Sequence, residues 1–264
     1  MNYWTQSKQN IYVAAHRGWS AKYPENTMAA FKAAAELGVD QIETDIRITA
    51  DGELVCIHDP SVDRTTNGTG LVREKTLAEL RELDAGSWKG EEFAGLRIPT
   101  FKEFMDFIAT LPEMTVDFEL KEYPVDGRDE IAYEVCDRVL KIIDDYGFTD
   151  RCVINTFNAK LHEYIRDKYG DKYRQHVYFP ITHMGPTTRD PYDYGYCVCM
   201  FGEGIMAEKA EFDAMTARGI QPWAGAGVKN AEGVDMAIER GAELITCNNV
   251  DEILELLHRR GYHK

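Results

Sequence analysis

The chain has 264 residues, a formal net charge of −15 and 44% hydrophobic residues, a composition typical of a folded globular protein. This negative charge disfavours nucleic acid and anionic membrane surfaces as partners, and no stretch approaches the roughly 18 consecutive apolar residues of a membrane span. The first residues lack the apolar core of an export signal. We therefore expect a cytoplasmic protein without a stable membrane anchor, present as a monomer or homodimer.

The apolar pattern alternates between short strands and helices along the chain. Strands are predicted at 12–15, 41–48, 115–120, 152–155, 176–179, 197–201, 221–224 and 244–246. Helices are predicted at 26–37, 101–111, 130–146, 159–168, 207–218, 231–239 and 250–259, with a weak eighth around 189–194. This alternation predicts a single α/β domain over residues 1–264, folded as a (β/α)8 TIM barrel. An open doubly wound sheet is the alternative, disfavoured because no glycine-rich phosphate fingerprint follows the first strand.

Roughly fifty residues between the second strand and Phe101 interrupt the alternation. They contain a predicted hairpin strand at 54–57, a turn-rich run from Asp59 to Gly70 and a short helix at 77–83. A loop of this length in a compact domain is usually functional. We predict that residues 59–98 form a small insertion, too short for a core of its own, that caps the barrel mouth.

The six cysteines include no Cys-x-x-Cys pair. Cys197 and Cys199 lie two apart on one predicted strand, where local geometry does not favour a bridge between them. In a chain without an export signal we expect all six to be reduced and most of them to be buried.

Two histidines follow apolar strands near the same end of the predicted barrel. His16 follows the apolar residues of the first strand and precedes Arg17. His58 directly follows the apolar run Leu54–Ile57 and precedes Asp59. Two imidazoles at one mouth can divide general acid and general base duties near neutral pH. Each histidine taken alone also fits a structural role, as a buried ring bonded to a neighbour.

Acidic residues recur at a spacing of two on consecutive barrel strands. Glu43 and Asp45 leave the same face of the second strand, and Glu119 and Lys121 repeat the spacing at the end of the third. If these faces point inward, three carboxylates meet at the mouth, where buried like charges need a cation or protons. Three oxygen ligands suit Mg²⁺ or Ca²⁺ better than Zn²⁺. The alternative is a solvated face with Lys121 as a simple ion-pair partner.

These residues belong to an ordered set of motifs that resembles the glycerophosphodiester phosphodiesterase family. The set is dense up to Lys121 and thinner afterwards, where only Asn155-Thr156-Phe157 and Trp223 resemble family segments. The motifs of the first half are His16-Arg17-Gly18, Pro24-Glu25-Asn26-Thr27, Glu43-x-Asp45, His58-Asp59, Arg64-Thr65-Thr66-Asn67-Gly68-x-Gly70, Leu83-Asp84-Ala85-Gly86, Ile98-Pro99-Thr100 and Glu119-x-Lys121.

The resemblance implies a TIM barrel that hydrolyses a small-molecule phosphodiester to an alcohol and sn-glycerol 3-phosphate, in lipid and glycerol metabolism. It implies an acid/base role for the two histidines. It also implies a divalent cation, Mg²⁺ or Ca²⁺, held by the three carboxylates, and phosphate contacts from the two basic residues. The histidines are His16 and His58, the carboxylates are Glu43, Asp45 and Glu119, and the basic residues are Arg17 and Lys121.

Further residues are expected near the substrate. Glu25 and Asn26 belong to a family motif, and we expect Glu25 to anchor Arg17 and Asn26 either to touch substrate or to cap the following helix. Trp223 is expected in the substrate pocket, as a contact for the glycerol carbons. The chain departs from the family at Cys247 and after Trp223, at Ala224-Gly225-Ala226, which puts substrate identity in doubt more than chemistry.

Two other functions fit the same resemblance. One is a phosphodiesterase of lysophospholipase D type acting on a lysophospholipid, which would favour an apolar or basic rim that the sequence does not show. The other is a non-catalytic barrel that binds glycerophosphodiesters, which predicts loss of a histidine or metal ligand. The nucleophile is also left open, as water or the 2-hydroxyl of the glycerol moiety, which would form a cyclic phosphate first.

Overall fold

Short buried strands alternate with helices throughout residues 10–263, the part of the chain that the computed structural model describes. The strands are β1 (Tyr12–His16), β2 (Gln41–Ile48), β3 (Leu54–Cys56), β4 (Thr115–Leu120), β5 (Cys152–Asn155), β6 (Arg174–Phe179), β7 (Cys197–Met200), β8 (Gln221–Ala224) and β9 (Leu244–Cys247). The helices are α1 (Met28–Leu37), α2 (Leu77–Glu82), α3 (Phe101–Ile108), α4 (Asp129–Asp145), α5 (Ala159–Tyr169), α6 (Lys209–Ala217), α7 (Ala231–Arg240) and α8 (Val250–Arg260).

Eight of the strands close into a parallel barrel. Each strand pairs with its successor, and β1 pairs with both β2 and β9, so the sheet has no free edge among these eight. The predicted TIM barrel is confirmed, and the open doubly wound sheet is wrong. β3 lies outside the barrel, as the antiparallel partner of the end of β2. Among residues 10–263, no helix combines the length and apolarity that crossing a bilayer requires.

Strand alternation separates the core from the barrel interior. Phe118 on β4 points outward and packs edge-to-face against Phe101 and Phe104 of α3, with ring centroids 5.5 and 6.1 Å apart. Its neighbours Asp117 and Glu119 leave the opposite face and line the interior cavity. The apolar contacts that hold the helices on the barrel therefore also fix the direction of the acidic side chains.

The half of the barrel interior nearest the amino-terminal ends of the strands contains apolar side chains next to a buried polar pair, in which Gln41 Nε2 donates to Thr115 Oγ1 at 3.4 Å. The apolar side chains outnumber this pair. Five of them form a separate buried cluster, Ala14, Val153, Cys197, Trp223 and Leu244. All six cysteines of the chain are free and buried, as predicted from the sequence. The carboxylates Glu43, Asp117 and Glu119 lie higher in the interior, toward the carboxyl ends of the strands.

Several predicted helices differ from the structure in their bounds, for example α3, which ends at Ile108 and not at residue 111, and two of the differences have a clear local cause. α1 begins at Met28 and not at residue 26, because Thr27 is its N-cap and accepts a hydrogen bond from the amide of Ala30 at 3.3 Å. No α-helix follows β6, where the chain makes two short 3₁₀ turns, Ile181–Met184 and Pro191–Asp193. The second turn starts at a proline and ends after one turn, which explains the weak helical signal around residues 189–194.

The segment between β3 and α3 packs around a small apolar cluster of its own, which differs from the expectation of no core. Its residues are Val55, Ile57, Val62, Val72, Leu80, Ala85 and Ile98. Because Val55 belongs to β3 and Ile57 directly follows it, the insertion is built on the hairpin strand. Its boundaries and its role as a cap over the mouth stay predictions.

The backbone after β1 turns sharply at Gly18, whose φ is +76°. A Cβ at this position would lie 2.6 Å from the carbonyl carbon of Ala30, because the turn rests directly on α1. Gly38, at the end of α1, has a similar φ of +80°, but a Cβ there would meet no atom within 4 Å. The two glycines therefore share a left-handed backbone, which would strain any residue with a Cβ, and differ in steric contact.

We predict that Gly18→Ala destabilises the protein clearly more than Gly38→Ala. Gly38→Ala adds only the left-handed backbone penalty of about 1–2 kcal/mol, whereas Gly18→Ala adds overpacking of about 1–3 kcal/mol. Urea unfolding of both variants measures the difference. Equal midpoints would contradict the close packing of this turn on α1.

Candidate active site

A cavity of about 270 Å³ opens at the carboxyl ends of the barrel strands. One side of it is charged and carries His16, Arg17, Glu43, His58, Glu119 and Lys121. The other side is formed by aromatic and small residues, among them Phe157, Tyr178, Phe201, Gly225, Ala226 and Gly227. A more open groove of about 570 Å³ lies at the opposite end of the strands, but its described lining residues include no histidine or basic side chain.

The three predicted carboxylates come together on β2 and β4. Residues Asp45 and Glu119 are register partners, and one oxygen from each of Glu43, Asp45 and Glu119 lies within 4.8 Å of the others. All three residues are buried. Glu43 Oε1 and Asp45 Oδ1 have no hydrogen-bond partner among the described residues. Buried carboxylate oxygens without partners fit a cation that prefers oxygen ligands.

Two basic side chains compensate part of this charge. Lys121 Nζ donates to Glu119 Oε1 and lies 3.1 Å from Asp45 Oδ1, although that second contact lacks hydrogen-bond alignment. The backbone amide of Arg17 donates to Glu43 Oε2 at 2.8 Å, and Arg17 Nε lies 3.3 Å from Asp45 Oδ2. Lys121 and Arg17, the two side chains expected to bind the substrate phosphate, therefore also contact the carboxylates.

The two basic side chains compensate only part of the negative charge, as the raised pKa values of two of the carboxyl groups show. Burial raises the pKa of Glu43 well above its usual range, and the charges of Asp45 and Glu119 raise it further. Burial also raises the pKa of Glu119, to about 7, against the opposing effect of Lys121. Burial acts on Asp45 too, but the charges of Lys121 and Arg17 outweigh it and hold its pKa below the ordinary value. The cluster thus favours additional positive charge.

His16 is oriented by a residue from the other end of the chain. Its Nδ1 lies 2.7 Å from Asn248 Oδ1, directly after β9, and its Nε2 lies 4.0 Å from Glu43 Oε2. An amide oxygen accepts, so Nδ1 carries the proton and Nε2 is left with its lone pair when the ring is neutral. Burial lowers the pKa of His16 to about 4, and the charge of Arg17 contributes.

His58 is oriented by its neighbour in the sequence. Its Nδ1 lies 2.6 Å from Asp59 Oδ1, so this nitrogen donates and Nε2 is again the free atom. Burial lowers the pKa of His58, and the positive charges of Lys121 and Arg17 act in the same direction. Both histidines therefore expose Nε2 with Nδ1 fixed by an acceptor.

An ion-pair network joins the two histidine loops through Arg64 of the insertion. Arg64 Nε donates to Asp59 Oδ2 at 2.7 Å, and its two terminal nitrogens donate to Glu25 at 2.8 and 2.7 Å. Glu25 Oε1 in turn accepts from Arg17 Nη1 at 2.7 Å, which is the expected anchoring contact. The network runs without interruption from His58 to Arg17, and its fork geometry is specific to arginine.

Asn26 holds a carboxylate and does not cap α1. Its Nδ2 donates to Asp45 Oδ2 at 2.7 Å, and its Oδ1 accepts from Thr44 Oγ1 at 3.0 Å. Asn26 and Arg17 both have left-handed backbones, with φ of 53° and 60°. Such strain in non-glycine residues is concentrated at functional sites, where the surroundings enforce it.

The structure places Trp223 below the cavity and not in its wall. Its buried indole belongs to the apolar cluster of the lower barrel and lies 4.8 Å from the ring of His176, centroid to centroid. The structure therefore does not place Trp223 in the substrate pocket. It lies one layer deeper in the barrel, and Gly225, two residues further along, lines the cavity instead.

Four residues of the site have no role in the sequence-based prediction. Asp117 shares the inward face of Glu119, so the same alternation rule finds it. Arg64 stands in a motif that the sequence analysis quotes without giving it a role. The contacts of Arg64, His176 and Asn248 join distant segments, and the sequence pattern does not predict these contacts.

The model of the glycerophosphoryl diester phosphodiesterase family matches residues 16–252 of this chain. The chain belongs to this family. A glycerophosphodiester phosphodiesterase of Caldanaerobacter subterraneus subsp. tengcongensis is 36% identical, over 94% of this chain and 98% of the relative. A glycerophosphodiester phosphodiesterase of Bacillus subtilis is 42% identical over a shorter stretch, 38% of this chain and 37% of the relative.

Solved structures with the same fold are more distant in sequence. A phosphodiesterase of Oleispira antarctica, in complex with the product sn-glycerol-3-phosphate, aligns with a TM-score of 0.77 at 23% identity, over 94% of this chain and 97% of that one. A glycerophosphodiester phosphodiesterase of Agrobacterium tumefaciens aligns with a TM-score of 0.74 at 22% identity, over 92% and 98%. These alignments agree with the barrel described above.

We predict that Mg²⁺ or Ca²⁺ raises the thermal stability of the wild type and not that of Asp45→Asn. A cation at 100 times its dissociation constant adds about 2.7 kcal/mol to the folded state, and the variant lacks one of three ligands. Thermal unfolding with either cation and with EDTA measures the shift.

Asp235→Asn is the matched control, because the same chemical change removes an ion pair with Arg260 on the surface. Its melting temperature should keep the full response to the cation. An unchanged response in Asp45→Asn would contradict a cation at the carboxylates.

Proposed function

We propose that the protein hydrolyses glycerophosphodiesters to an alcohol and sn-glycerol 3-phosphate, with a divalent cation and two histidines as acid and base. The observation that carries the proposal is the convergence of His16, His58 and the three carboxylates on one cavity. Family membership and the relative that is 36% identical over nearly the whole chain support the reaction.

Glu43, Asp45 and Glu119 would hold the cation, and Mg²⁺ or Ca²⁺ agrees with an all-carboxylate donor set. A bound cation supplies charge neutralisation on the phosphoryl oxygens and orients the diester. Lys121 and Arg17 keep N–H groups that their carboxylate contacts do not use, and these donate to the same oxygens. Negative charge on the substrate thus meets local positive charge in an acidic protein.

The histidines move the protons. The Nε2 of one neutral ring accepts the proton of the nucleophile, which is water or the glycerol 2-hydroxyl, and the other ring, protonated on both nitrogens, donates its Nε2 proton to the leaving alkoxide. The partners Asn248 and Asp59 hold the opposite nitrogen of each ring, so both rings face the cavity in a fixed tautomer. The general base and the general acid both act through Nε2, the ring nitrogen that neither Asn248 nor Asp59 contacts.

The size of the cavity favours a small, deacylated diester over a lysophospholipid. About 270 Å³ accommodates a glycerol phosphate, and the charged side of the cavity fits the phosphate of a deacylated diester. A non-catalytic binding barrel is disfavoured because both histidines and all three carboxylates are present and converge. A cytoplasmic location, the absence of nucleic acid partners and a monomeric or dimeric state stay predictions.

Release of sn-glycerol 3-phosphate from glycerophosphocholine, followed colourimetrically, tests the function. We expect turnover with Mg²⁺ or Ca²⁺ and its loss in EDTA, with recovery when the cation is returned. No release under any of these conditions would refute the proposed activity.

His16→Ala and His58→Ala are each expected to lower kcat by at least about 100-fold, the usual range for loss of a general acid or base. Their circular dichroism should match the wild type, because both rings are partly exposed at the mouth. His258→Ala, on the surface near the end of α8, is the control and should keep full activity. Near-normal turnover in either test variant would rule out its acid/base role.

Arg64→Ala is expected to lower kcat by about tenfold with little change in stability. The side chain is 44% exposed, so it adds little to the core, but its loss leaves Glu25 and Asp59 without a common partner. Arg97→Ala removes another exposed insertion arginine, which bonds only the backbone carbonyl of Leu83 in the described hydrogen bonds. Steady-state kinetics of the two variants should differ, and equal kcat values would show that the network does not position the histidine loops.

A further inference from the structure

An arginine on β2 bonds the backbone of two residues of the candidate active site. Arg47 Nε donates to the carbonyl oxygen of His58 at 2.8 Å, and Arg47 Nη1 donates to the carbonyl oxygen of Lys121 at 3.2 Å. The proposed chemistry gives the side chain of His58 to proton transfer and that of Lys121 to the phosphate. One guanidinium group therefore joins the two segments that carry these functions, and Arg47 itself has no assigned role.

Arg47 lies at the point where the neighbouring strands leave the sheet. It follows Asp45 by two residues on the same face of β2, which places its side chain one layer above the carboxylate cluster. β3 and β4 pair with opposite edges of β2, and the register of both strands ends at Ile46. His58 and Lys121 follow the last paired residues of these strands. The side-chain bonds of Arg47 thus take over from backbone pairing where the two segments diverge.

The guanidinium group of Arg47 is itself held in place. Its side chain is 12% exposed, and Nη1 lies 3.7 Å from Oε1 of the buried Glu122. The other carboxylate oxygen of Glu122 accepts a hydrogen bond from Arg128 Nη2 at 2.6 Å. A guanidinium presents several N–H donors in one rigid plane, whereas a lysine ammonium is a single point charge on a flexible stem. Bonding two carbonyl groups at once therefore requires an arginine at this position.

The side chains of His58 and Lys121 are each oriented by a partner in their own segment. His58 Nδ1 bonds Asp59, and Lys121 Nζ bonds Glu119. These local contacts orient the two groups but do not by themselves fix the distance between the segment after β3 and the segment after β4. Arg47 bonds the backbones of both segments, so its loss allows whole residues to move. A misplacement of about 1 Å in an active site can cost about 100-fold in rate.

We propose that Arg47 is a positioning residue that sets the separation between the imidazole of His58 and the ammonium group of Lys121. The proposal rests on the proposed function and adds a residue to it. Proton transfer and charge neutralisation must act on the same phosphodiester in one transition state, so the spacing of the two groups enters kcat directly. Arg47 touches neither substrate nor cation and acts only through the two residues whose carbonyl groups it holds.

A purely structural arginine makes a different prediction, because its loss lowers stability and leaves the kcat of the folded protein unchanged. Arg151 offers a matched control. Its Nη1 also donates to two backbone carbonyl groups, those of Leu111 and Met114 at 2.6 and 3.5 Å, but it precedes β5 at the amino-terminal end of the barrel. Arg151→Met therefore removes comparable bonds far from the cavity.

Steady-state kinetics on glycerophosphocholine with Mg²⁺ or Ca²⁺ compare the variants. Arg47→Met should lower kcat by at least about tenfold, the effect of a misplaced reacting group, while Arg151→Met should keep it. Arg47→Lys retains the charge but not the fork, so it should recover only part of the loss. A wild-type kcat in Arg47→Met, or full recovery in Arg47→Lys, would overturn the positioning role. Should Arg47→Met not fold, an undiminished kcat in Arg47→Lys would overturn it.

A double-mutant cycle shows whether Arg47 acts through His58. In the His58→Ala background there is no imidazole left to position, so adding Arg47→Lys should lower the residual kcat clearly less than it does in the wild type. An equal fold loss in the two backgrounds would mean that Arg47 acts independently of His58. That result would overturn the proposal.

Binding of the product separates the positioning role from the proposed hydrolysis. Calorimetry with sn-glycerol 3-phosphate needs no turnover, so it tests Arg47 even if the wild type releases no product and the proposed activity fails. Arg47→Met should bind this ligand at least about fivefold more weakly than Arg151→Met, because a displaced Lys121 loses part of a charged hydrogen bond to the phosphate. Equal affinities in the two variants would overturn the positioning of Lys121 by Arg47.

Discussion

Everything at this site depends on keeping four carboxylates buried in one barrel. Asp117 and the cluster of Glu43, Asp45 and Glu119 lie within adjacent strands, where desolvation costs several kcal/mol for each uncompensated charge. Arg17 and Lys121 offset only part of that cost. The rest of the local structure follows from this constraint: strained backbones, fixed amides and a surface ion-pair network all serve to hold positive charge and hydrogen-bond donors against the acids.

The alternation rule explains why so much of the site can be predicted from the sequence. A spacing of two on a barrel strand places Glu43 with Asp45 and Glu119 with Lys121. In the structure Glu43, Glu119 and Lys121 line the cavity, and the fully buried Asp45 adjoins them in the carboxylate cluster. The contacts that orient these groups follow no such rule. Asn248 bonds His16 across 232 positions, which requires the closed barrel, and Arg64 bonds Glu25 across 39, which requires only the pairing of β1 with β2.

Fold prediction succeeded where burial is periodic and was less accurate where local contacts decide. All eight barrel strands lie within one or two residues of their expected bounds, because buried parallel strands give continuous apolar runs. The start of α1 and the turns after β6 depend on a threonine cap and a proline, which override the apolar pattern. Trp223 is a similar case. The sequence predicts that its side chain points into the barrel, but not at which layer of the interior it lies.

The contact between His16 and Asn248 has a consequence for the order in which the site can form. The first strand supplies the histidine, and the loop after the last strand supplies the amide that fixes its tautomer. A ribosome releases these two segments at opposite ends of synthesis, so a partly made chain holds His16 with its ring unoriented and its barrel open. Proton transfer at this histidine therefore becomes available only when ring closure between β1 and β9 is complete. The topology itself makes completion of the fold a condition for chemistry.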